Sequence, residues 1–506
     1  MPYNCSYPPG AFSDFDRRAD ARGPQALEGL MEAAGTAAAE TAAEYHDATR
    51  PVMILAGKGN NGGDALVAAR ILSAQREVHL CLPYEETSLN RLALLNYRRL
   101  PENIIRHQTE ELEAALQLMR RRGGFLLDGL LGTGFHGTLA PELAAICAAV
   151  NRSGIPVIAI DCPSGLNCAD GTAEGCIRAD VTVALCGVKS GMLADSAVPF
   201  CGKILVRHLP GDDEIFTQPG IHTLFDEADA RELLPQVPFD AHKFSRGSVA
   251  VIGGSASYPH APVLSAAAAL YSGAGMVFLS LPGNVRPCCA IPAALVLRAL
   301  GTRDVHTAED LTAVDALLTR SSALAVGPGM DRNPESIPLL RHLIASGKPL
   351  VLDADALALL ASNPEILTAF NRGQVLLTPH EGEAARLLAA VGASPASRAE
   401  RASVLASAFG AAVLLKGPRT IVAAPDGRVS YNMSGCSALA TAGSGDVLTG
   451  IAAAMLAAGM NAFDAGRLAA WLHGASGEAM SHPSGRFGII ADDLPKAAAD
   501  VLKRLR

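Results

Sequence analysis

Two glycine-rich stretches, each ending on a carboxylate, carry the first chemical suggestion in this chain: Gly57-Lys58-Gly59-Asn60-Asn61-Gly62-Gly63-Asp64 and Thr441-Ala442-Gly443-Ser444-Gly445-Asp446. Glycine is needed where backbone amides must approach phosphate oxygens, because a side chain would block the way. A helix that begins at such a loop adds a favourable field for negative charge. Each stretch lies between an apolar, strand-like run and an alanine-rich, helix-like run, so the spacing predicts two separate nucleotide-handling sites.

Other chemistry-bearing residues fall just after apolar runs. In the first half these are Asp128-Gly129-Leu130-Leu131-Gly132-Thr133-Gly134 and Asp161-Cys162-Pro163-Ser164-Gly165-Leu166. In the second half they are Gly327-Pro328-Gly329, Asp353-Ala354-Asp355, Thr378-Pro379-His380-Glu381-Gly382-Glu383 and Lys416-Gly417-Pro418-Arg419-Thr420. Ligands of open α/β sheets bind beyond the carboxyl ends of the strands, where such loops converge. A Walker lysine loop is absent, so a phosphate in the second half needs another cradle. Thr441 to Asp446 supplies one: the amides of Ala442, Gly443, Ser444 and Gly445 can stabilise a transferring phosphoryl group while Asp446 takes the acceptor's proton.

The elements that must position these residues are legible as alternating runs. Strand-like segments are expected at 52–56, 78–82, 125–127, 157–160 and 181–185, separated by helix-like stretches such as 65–73 and 110–119. A second series is expected at 248–252, 276–281, 323–326, 349–352, 375–377, 412–415 and 421–423. That alternation predicts parallel, doubly wound sheets. Turn and breaker residues concentrate at Leu209 to Asp213 and at Thr217-Gln218-Pro219-Gly220, which places a boundary near 215 and gives domains of 1–215 and 216–506.

Composition agrees with two large α/β units: 506 residues, 49% hydrophobic and 18% charged, with a single Trp. A net charge of -8 argues against a broad nucleic-acid surface, and the basic run Arg120-Arg121-Arg122 reads as a solvated helix end. Eleven cysteines form no CxxC pair, which favours reduced thiols over a disulfide frame or a zinc site. The first 23 residues lack the pattern of a secretory signal, and Gly, Pro and Ser break the longest uncharged stretch, 247–285. The expectation is a cytoplasmic protein with no membrane partner.

The first-half phrases, with Leu30-Met31-Glu32-Ala33-Ala34-Gly35 upstream and Val188-Lys189-Ser190-Gly191-Met192-Leu193 downstream, closely resemble the NAD(P)H-hydrate epimerase domain over residues 14–210. The resemblance implies that Asn60, Asn61, Gly62, Gly63 and Asp64 hold the substrate together with Gly132, Thr133, Gly134, Phe135, His136, Gly137 and Thr138. It implies that Asp161 contacts the reacting part, and that Asn61, Asp128 and Ser164 ligate potassium. Asp161 is the acid/base candidate, since epimerising a hydroxyl-bearing carbon requires proton movement on or beside that hydroxyl. Competing readings make Asp128 a turn cap and Lys189 a surface charge.

The second half resembles the ribokinase-like superfamily, and the set from His242-Lys243 to Ala491-Asp492-Asp493-Leu494 is similar to its NAD(P)H-hydrate dehydratase branch over 222–506. By that resemblance Ala261, Gly329, His380 and Asp446 contact the hydrated nicotinamide. Lys416, Gly417, Pro418, Arg419, Thr420 and Gly445 hold an adenine nucleotide, ADP or ATP, with Mg2+. His380 alone also reads as a structural histidine, and Asp353 and Asp355 as helix caps. The family pattern has glycine before the alanine of the substrate loop, whereas this chain reads Tyr258-Pro259-His260-Ala261-Pro262, so His260 is expected to narrow the pocket or reshape the loop.

Together these resemblances imply a fused, two-domain α/β chain, a Rossmann-like doubly wound sheet followed by a ribokinase-like domain, that epimerises hydrated NADH and NADPH and dehydrates the S form. They also imply a homo-oligomer with K+, Mg2+ and ADP or ATP. Two rival readings stand beside it: a vitamin- or sugar-type kinase in the second half, which a stable phosphorylated product would reveal, and a non-catalytic binding module in the first.

Overall fold

A computed structural model describes residues 4–217, 219–368, 374–481 and 489–505; Gln218 of the turn-rich boundary segment lies outside the described residues. The chain divides into two compact units, Met1–Thr223 and Leu224–Arg506.

In the first unit a 7-stranded sheet runs in the order Ile105–His107, Val78–Cys81, Val52–Ala56, Phe125–Gly129, Val157–Ile160, Val181–Leu185 and Lys203–Arg207. Every neighbouring pair is parallel. The inner strands read as unbroken apolar runs because helices bury both of their faces. One face packs on the alanine-rich helices Pro24–Tyr45 and Asn60–Leu72, the other on Leu112–Arg121 and Pro141–Ser153. Strand order reverses between Val52–Ala56 and Phe125–Gly129, the position past whose carboxyl ends open α/β sheets take ligands.

The second unit is built on parallel strands in the order Val296–Leu300, Met276–Pro282, Ser248–Ile252, Ala323–Val326, Leu350–Leu352, Val375–Leu377 and Ala412–Leu415. Ile421–Ala423 and Val429–Asn432 continue it antiparallel. The helices Ala261–Tyr271, Ser444–Ala457, Ala462–Met480 and Leu494–Leu505 cover one face and bury Trp471. Here the order reverses between Ser248–Ile252 and Ala323–Val326. Both units are α/β, as the alternation of runs predicts.

Two findings differ from the sequence expectation. The helix after the first glycine loop begins at Asn60, five residues before the expected 65, so Asn60 to Asp64 form its opening turns. Edge strands at Ile105–His107 and Val296–Leu300 lie outside the expected series: the first has a single apolar residue, and the second is interrupted by Arg298 and mostly exposed. The basic run Arg120-Arg121-Arg122 is the exposed end of the helix Leu112–Arg121, as expected, and Arg122 is paired with Glu77. Among the described residues, no helix is long and apolar enough to cross a membrane.

Candidate active sites

In the first unit, Gly57 leaves its strand by donating to the Gly129 carbonyl at 3.0 Å. A Cβ on Gly57 would lie 1.9 Å from the Leu130 carbonyl oxygen, so only glycine permits this approach of the two strand ends. That approach brings Asn61, Asp128 and Ser164 together around Leu131. The Ser164 hydroxyl donates to Asp128 Oδ1 at 2.6 Å and accepts the Leu131 amide at 2.8 Å, while Asn61 Nδ2 donates to the Leu131 carbonyl at 2.8 Å. The Ser164 and Leu130 amides also point at the Asp128 carboxylate. Asp128 is therefore a loop-organising carboxylate as well as a candidate ligand.

Two features of this cluster fit a hard monovalent cation. Asn61 Oδ1 is buried and accepts no hydrogen bond, although orphaned acceptors of this kind are rare. Burial pushes the Asp128 carboxyl up to about 6 against the hydrogen bonds from Ser164 and Leu130, so a positive charge beside it would stabilise its ionised form. The donors are all oxygen, the set that suits such ions.

Asp161 follows the strand Val157–Ile160 with φ +64°, a left-handed conformation uncommon for a residue with a side chain. Its amide donates to Val183 O at 2.8 Å and its carboxylate takes a hydrogen bond from Lys189 Nζ. Lys189 is 1% exposed, which overturns the surface-charge reading. Burial alone would lower this ammonium's pKa; the Asp161 carboxylate outweighs that and raises it. Asp64 is pushed well up by burial, then by Asp161 and Asp16. The segment Gly132 to Thr138 runs as a loop ahead of the helix Pro141–Ser153, with Thr133 half-buried, Phe135 packed against the core and His136 exposed. Asn60 accepts from Asn90 Nδ2 at 2.8 Å, which ties the start of its helix to the N-cap of the helix Arg91–Arg98.

The second unit repeats the arrangement with different chemistry. Gly443, at φ +85°, turns the chain into the helix Ser444–Ala457, so the Ser444, Gly445 and Asp446 amides belong to a helix N-terminus. Lys416, at the end of the strand Ala412–Leu415, reaches back over this loop, and a Cβ on Gly445 would lie 3.4 Å from its Nζ. The ammonium donates to Asp353 Oδ1 at 2.7 Å and lies 3.7 Å from Glu383. Asp353 occupies the N-cap position of the helix Ala354–Ser362 but makes no side-chain cap bond; it receives Lys416 and the Thr449 hydroxyl instead, at 2.6 Å from the latter. Asp355 accepts from the Asp331 amide at 3.0 Å and pairs with Arg332.

Asp446 is the group left to titrate. Burial, then the like charge of Asp353, pushes its carboxyl up to about 7 even with Lys416 pulling it down. A carboxyl poised near neutrality beside an anion-binding loop is suited to proton transfer. His473, which the sequence reading did not single out, shares a 2.9 Å hydrogen bond with the Ser444 hydroxyl, and burial lowers its imidazole to about 4.

Ala261 opens the helix Ala261–Tyr271, and a Cβ on Gly329 would sit 2.4 Å from Tyr258 O and 3.2 Å from the Ala261 methyl, so these two residues meet. His380 caps the helix Glu381–Ala390 through Nδ1, which accepts the Gly382 amide at 3.0 Å, and its side chain is 55% exposed. It thus fills the structural role, and its Nε2 lies 3.4 Å from the Glu383 carboxylate. His260 turns its ring to the neighbouring loop, where Nε2 accepts the Cys288 amide at 3.0 Å. Within Lys416 to Thr420, Arg419 adopts φ +50° and the Thr420 hydroxyl closes the turn on Gly417 O at 3.0 Å.

Residues 27–191 match the family model described as YjeF-related protein N-terminus, and residues 249–499 match NAD(P)H-hydrate dehydratase. The bifunctional NAD(P)H-hydrate repair enzyme Nnr of Moorella thermoacetica is 34% identical over 490 residues, covering 94% of this chain and 92% of that protein. The enzyme of the same name from Gloeobacter violaceus is 36% identical over 497 residues, covering 94% of each. Among solved structures, the ADP/ATP-dependent NAD(P)H-hydrate dehydratase of Bacillus subtilis co-crystallised with ATP and Mg2+ is 26% identical, with a TM-score of 0.46, covering 56% of this chain and 98% of that one.

Proposed function

The chain belongs to the bifunctional NAD(P)H-hydrate repair enzymes, and we infer from its two sites how the residues divide the work. The first unit is the NAD(P)H-hydrate epimerase; the second is the ADP/ATP-dependent NAD(P)H-hydrate dehydratase. The observation that carries the residue assignment is Asp446, a carboxyl held near neutrality between a helix N-terminus and the Lys416 ammonium.

In the second unit the hydroxyl of the S hydrate attacks the terminal phosphorus of the nucleotide. Its proton passes to Asp446, and the shortened nucleotide leaves. The carbon–oxygen bond then breaks with its electron pair going to phosphate, the ring nitrogen's lone pair fills in, and loss of a proton from the adjacent carbon restores the double bond. Phosphorylation serves because hydroxide is a poor leaving group and phosphate a good one. The amide of Gly445 and the Lys416 ammonium face charge that develops on the phosphoryl oxygens. Mg2+ would enter with the nucleotide, with Asp446 and Glu383 as the protein oxygens beside the phosphates, as is usual for a metal bound largely through substrate phosphate and water. It would supply neutralisation of phosphate charge. ADP is the co-substrate we assign, on the pattern of a fused two-domain chain.

In the first unit Asp161 takes the proton of the hydroxyl as the ring C–N bond opens to an aldehyde, its electron pair going to the ring nitrogen, and returns the proton when that nitrogen closes on the opposite face of the carbonyl, while Lys189 holds the carboxylate in place. Asn61, Asp128 and Ser164 would hold K+, whose charge would fix the loop that carries the substrate. Gly62, Gly63 and Asp64 in the opening helical turns, with Gly132 to Thr138, frame the rest of the pocket. We place the protein in the cytoplasm, as a homo-oligomer acting on NADH and NADPH hydrates.

Purified protein given S hydrate with ADP or ATP should restore reduced-nicotinamide absorbance and release one phosphate per hydrate. A stable phosphorylated nicotinamide product, with no absorbance gained, would replace this reading with the small-molecule kinase.

A further inference from the structure

The amino-terminal helix Pro9–Ala21 lies ahead of the matched family region, which begins at residue 27. Its inner face, Ala11, Phe12 and Phe15, packs with Tyr7, Cys186, Ile215 and Phe216. The Phe12 ring also covers Gly187, where an added Cβ would lie 3.6 Å from the ring. Lys189 Nζ sits over that ring, 4.3 Å from its centroid. The ammonium is thus held between an aromatic face, the Asp161 carboxylate and the Leu185 carbonyl, to which it donates at 2.8 Å. An ammonium on a flexible stem has few other ways to be fixed inside a protein, and a desolvated ring face attracts it strongly.

Asp16 stands one helical turn beyond Phe12, so the two share a side of the helix. It is open to solvent at the rim of the site, yet close enough to interact with both Asp161 and Lys189. Asp64 approaches the same group from the helix Asn60–Leu72. Of the three carboxyls Asp161 alone bonds the ammonium, while Asp16 and Asp64 feel the charges of both, so full ionisation of all three would leave uncompensated negative charge. The environment answers this by retaining protons: crowding by the surrounding protein and the Asp161 charge push Asp16 up to about 6, and Asp64 is raised as well.

We propose that the amino-terminal helix is a working part of the epimerase site, with Phe12 and Asp16 as positioning residues that fix the Lys189–Asp161 pair where the substrate hydroxyl meets it. The inference rests on the reading of Asp161 as the acid/base group. Phe12 removes the ammonium's freedom to swing away from Asp161. Asp16 sets, with Asp64, how many protons the cluster holds when substrate arrives.

The test uses the full chain and R hydrate without nucleotide, so that the second unit is idle, and follows R-to-S conversion by chromatography. Dehydration of S hydrate with ADP, and the thermal midpoint, report whether each variant is folded. Phe12→Leu should lower the epimerisation kcat about tenfold, equivalent to about 1.4 kcal/mol, with KM within about twofold, and Phe12→Trp should recover most of it. Asp16→Asn should move the acid limb of kcat/KM to lower pH by up to about one unit, since a competing negative charge is gone. Wild-type kcat in Phe12→Leu with an unmoved pH limb in Asp16→Asn overturns the proposal. So does a Phe12→Leu loss that tracks a fall in thermal midpoint and is not recovered by Trp, which would make the contact structural. A wild-type chain that leaves R hydrate unconverted sinks the underlying epimerase assignment instead, and Asp161→Asn active at the wild-type rate removes only its acid/base role.

Discussion

Replacing Asp446 by Asn should remove dehydratase activity and stabilise the second unit, with the stability gain growing as pH rises. Folded, the carboxyl keeps its proton up to about 7; unfolded, it releases at the ordinary value of 3.8. Between those values the unfolded chain binds fewer protons than the folded one, so stability falls as pH rises through the window and the full penalty is present above about 7. At about 1.4 kcal/mol per pKa unit the span sets an upper bound of about 4 kcal/mol. Asp446 is only half-buried, so solvent screening reduces this to about 1–2 kcal/mol, or about 5 °C in thermal midpoint for a unit of this size. Lys416 keeps Asp353 and Glu383 as partners, so the substitution orphans no buried cation.

The assay is built into the sequence. Trp471 is the single Trp of the chain and is buried in the second unit's core, so its fluorescence reports unfolding of that unit. The midpoint difference between Asp446→Asn and wild type should be several degrees at pH 8 and clearly smaller at pH 5, while turnover of S hydrate falls about 100- to 10,000-fold. A variant that melts below wild type at pH 8, or whose difference is the same at both pH values, refutes the account of Asp446 as a carboxyl strained by burial for use as a base.

Gly57→Ala should cost epimerisation at least about 100-fold, because its Cβ would meet the Leu130 carbonyl at 1.9 Å and push apart the loops that carry Asn61 and Asp128; S-hydrate dehydration by the same sample should persist. Asn61→Ala should raise the K+ concentration for half-maximal epimerisation about tenfold, measured by exchanging NaCl for KCl at constant ionic strength. His473→Gln should lower dehydratase kcat about tenfold with little change in KM, since it loosens Ser444 in the phosphoryl cradle without touching the nicotinamide side.

What the sequence discloses follows from how locally each feature is encoded. The inner strands and the switch-point loops were legible because unbroken apolar runs ending in Gly and Asp are local patterns. Val52–Ala56, Val157–Ile160 and Ser248–Ile252 begin and end where those runs do. The groups whose role depends on burial and partners were not. Lys189 looks like any lysine until the fold encloses it, and Asp353 looks like a helix cap until Lys416 and Thr449 reach it from strands and helices distant in the chain. His473 and Asp16 sit in helices whose sequences read as packing surface, and only tertiary placement brings them to Ser444 and to the Asp161–Lys189 pair. The onset of the helix at Asn60 was hidden by glycines, which lower helix propensity but are required at Gly57 and Gly62 for close backbone approach.

The most direct measurement gives the purified full chain a mixture of R and S NADH hydrates with K+, Mg2+ and ADP, and follows recovery of reduced-nicotinamide absorbance to completion. The account predicts recovery of the whole pool, the S form first and the R form at the rate of epimerisation, with one phosphate released per molecule restored. Recovery that halts when the S form is spent would contradict the epimerase assignment, and absence of recovery with ADP and with ATP alike would contradict the dehydratase one.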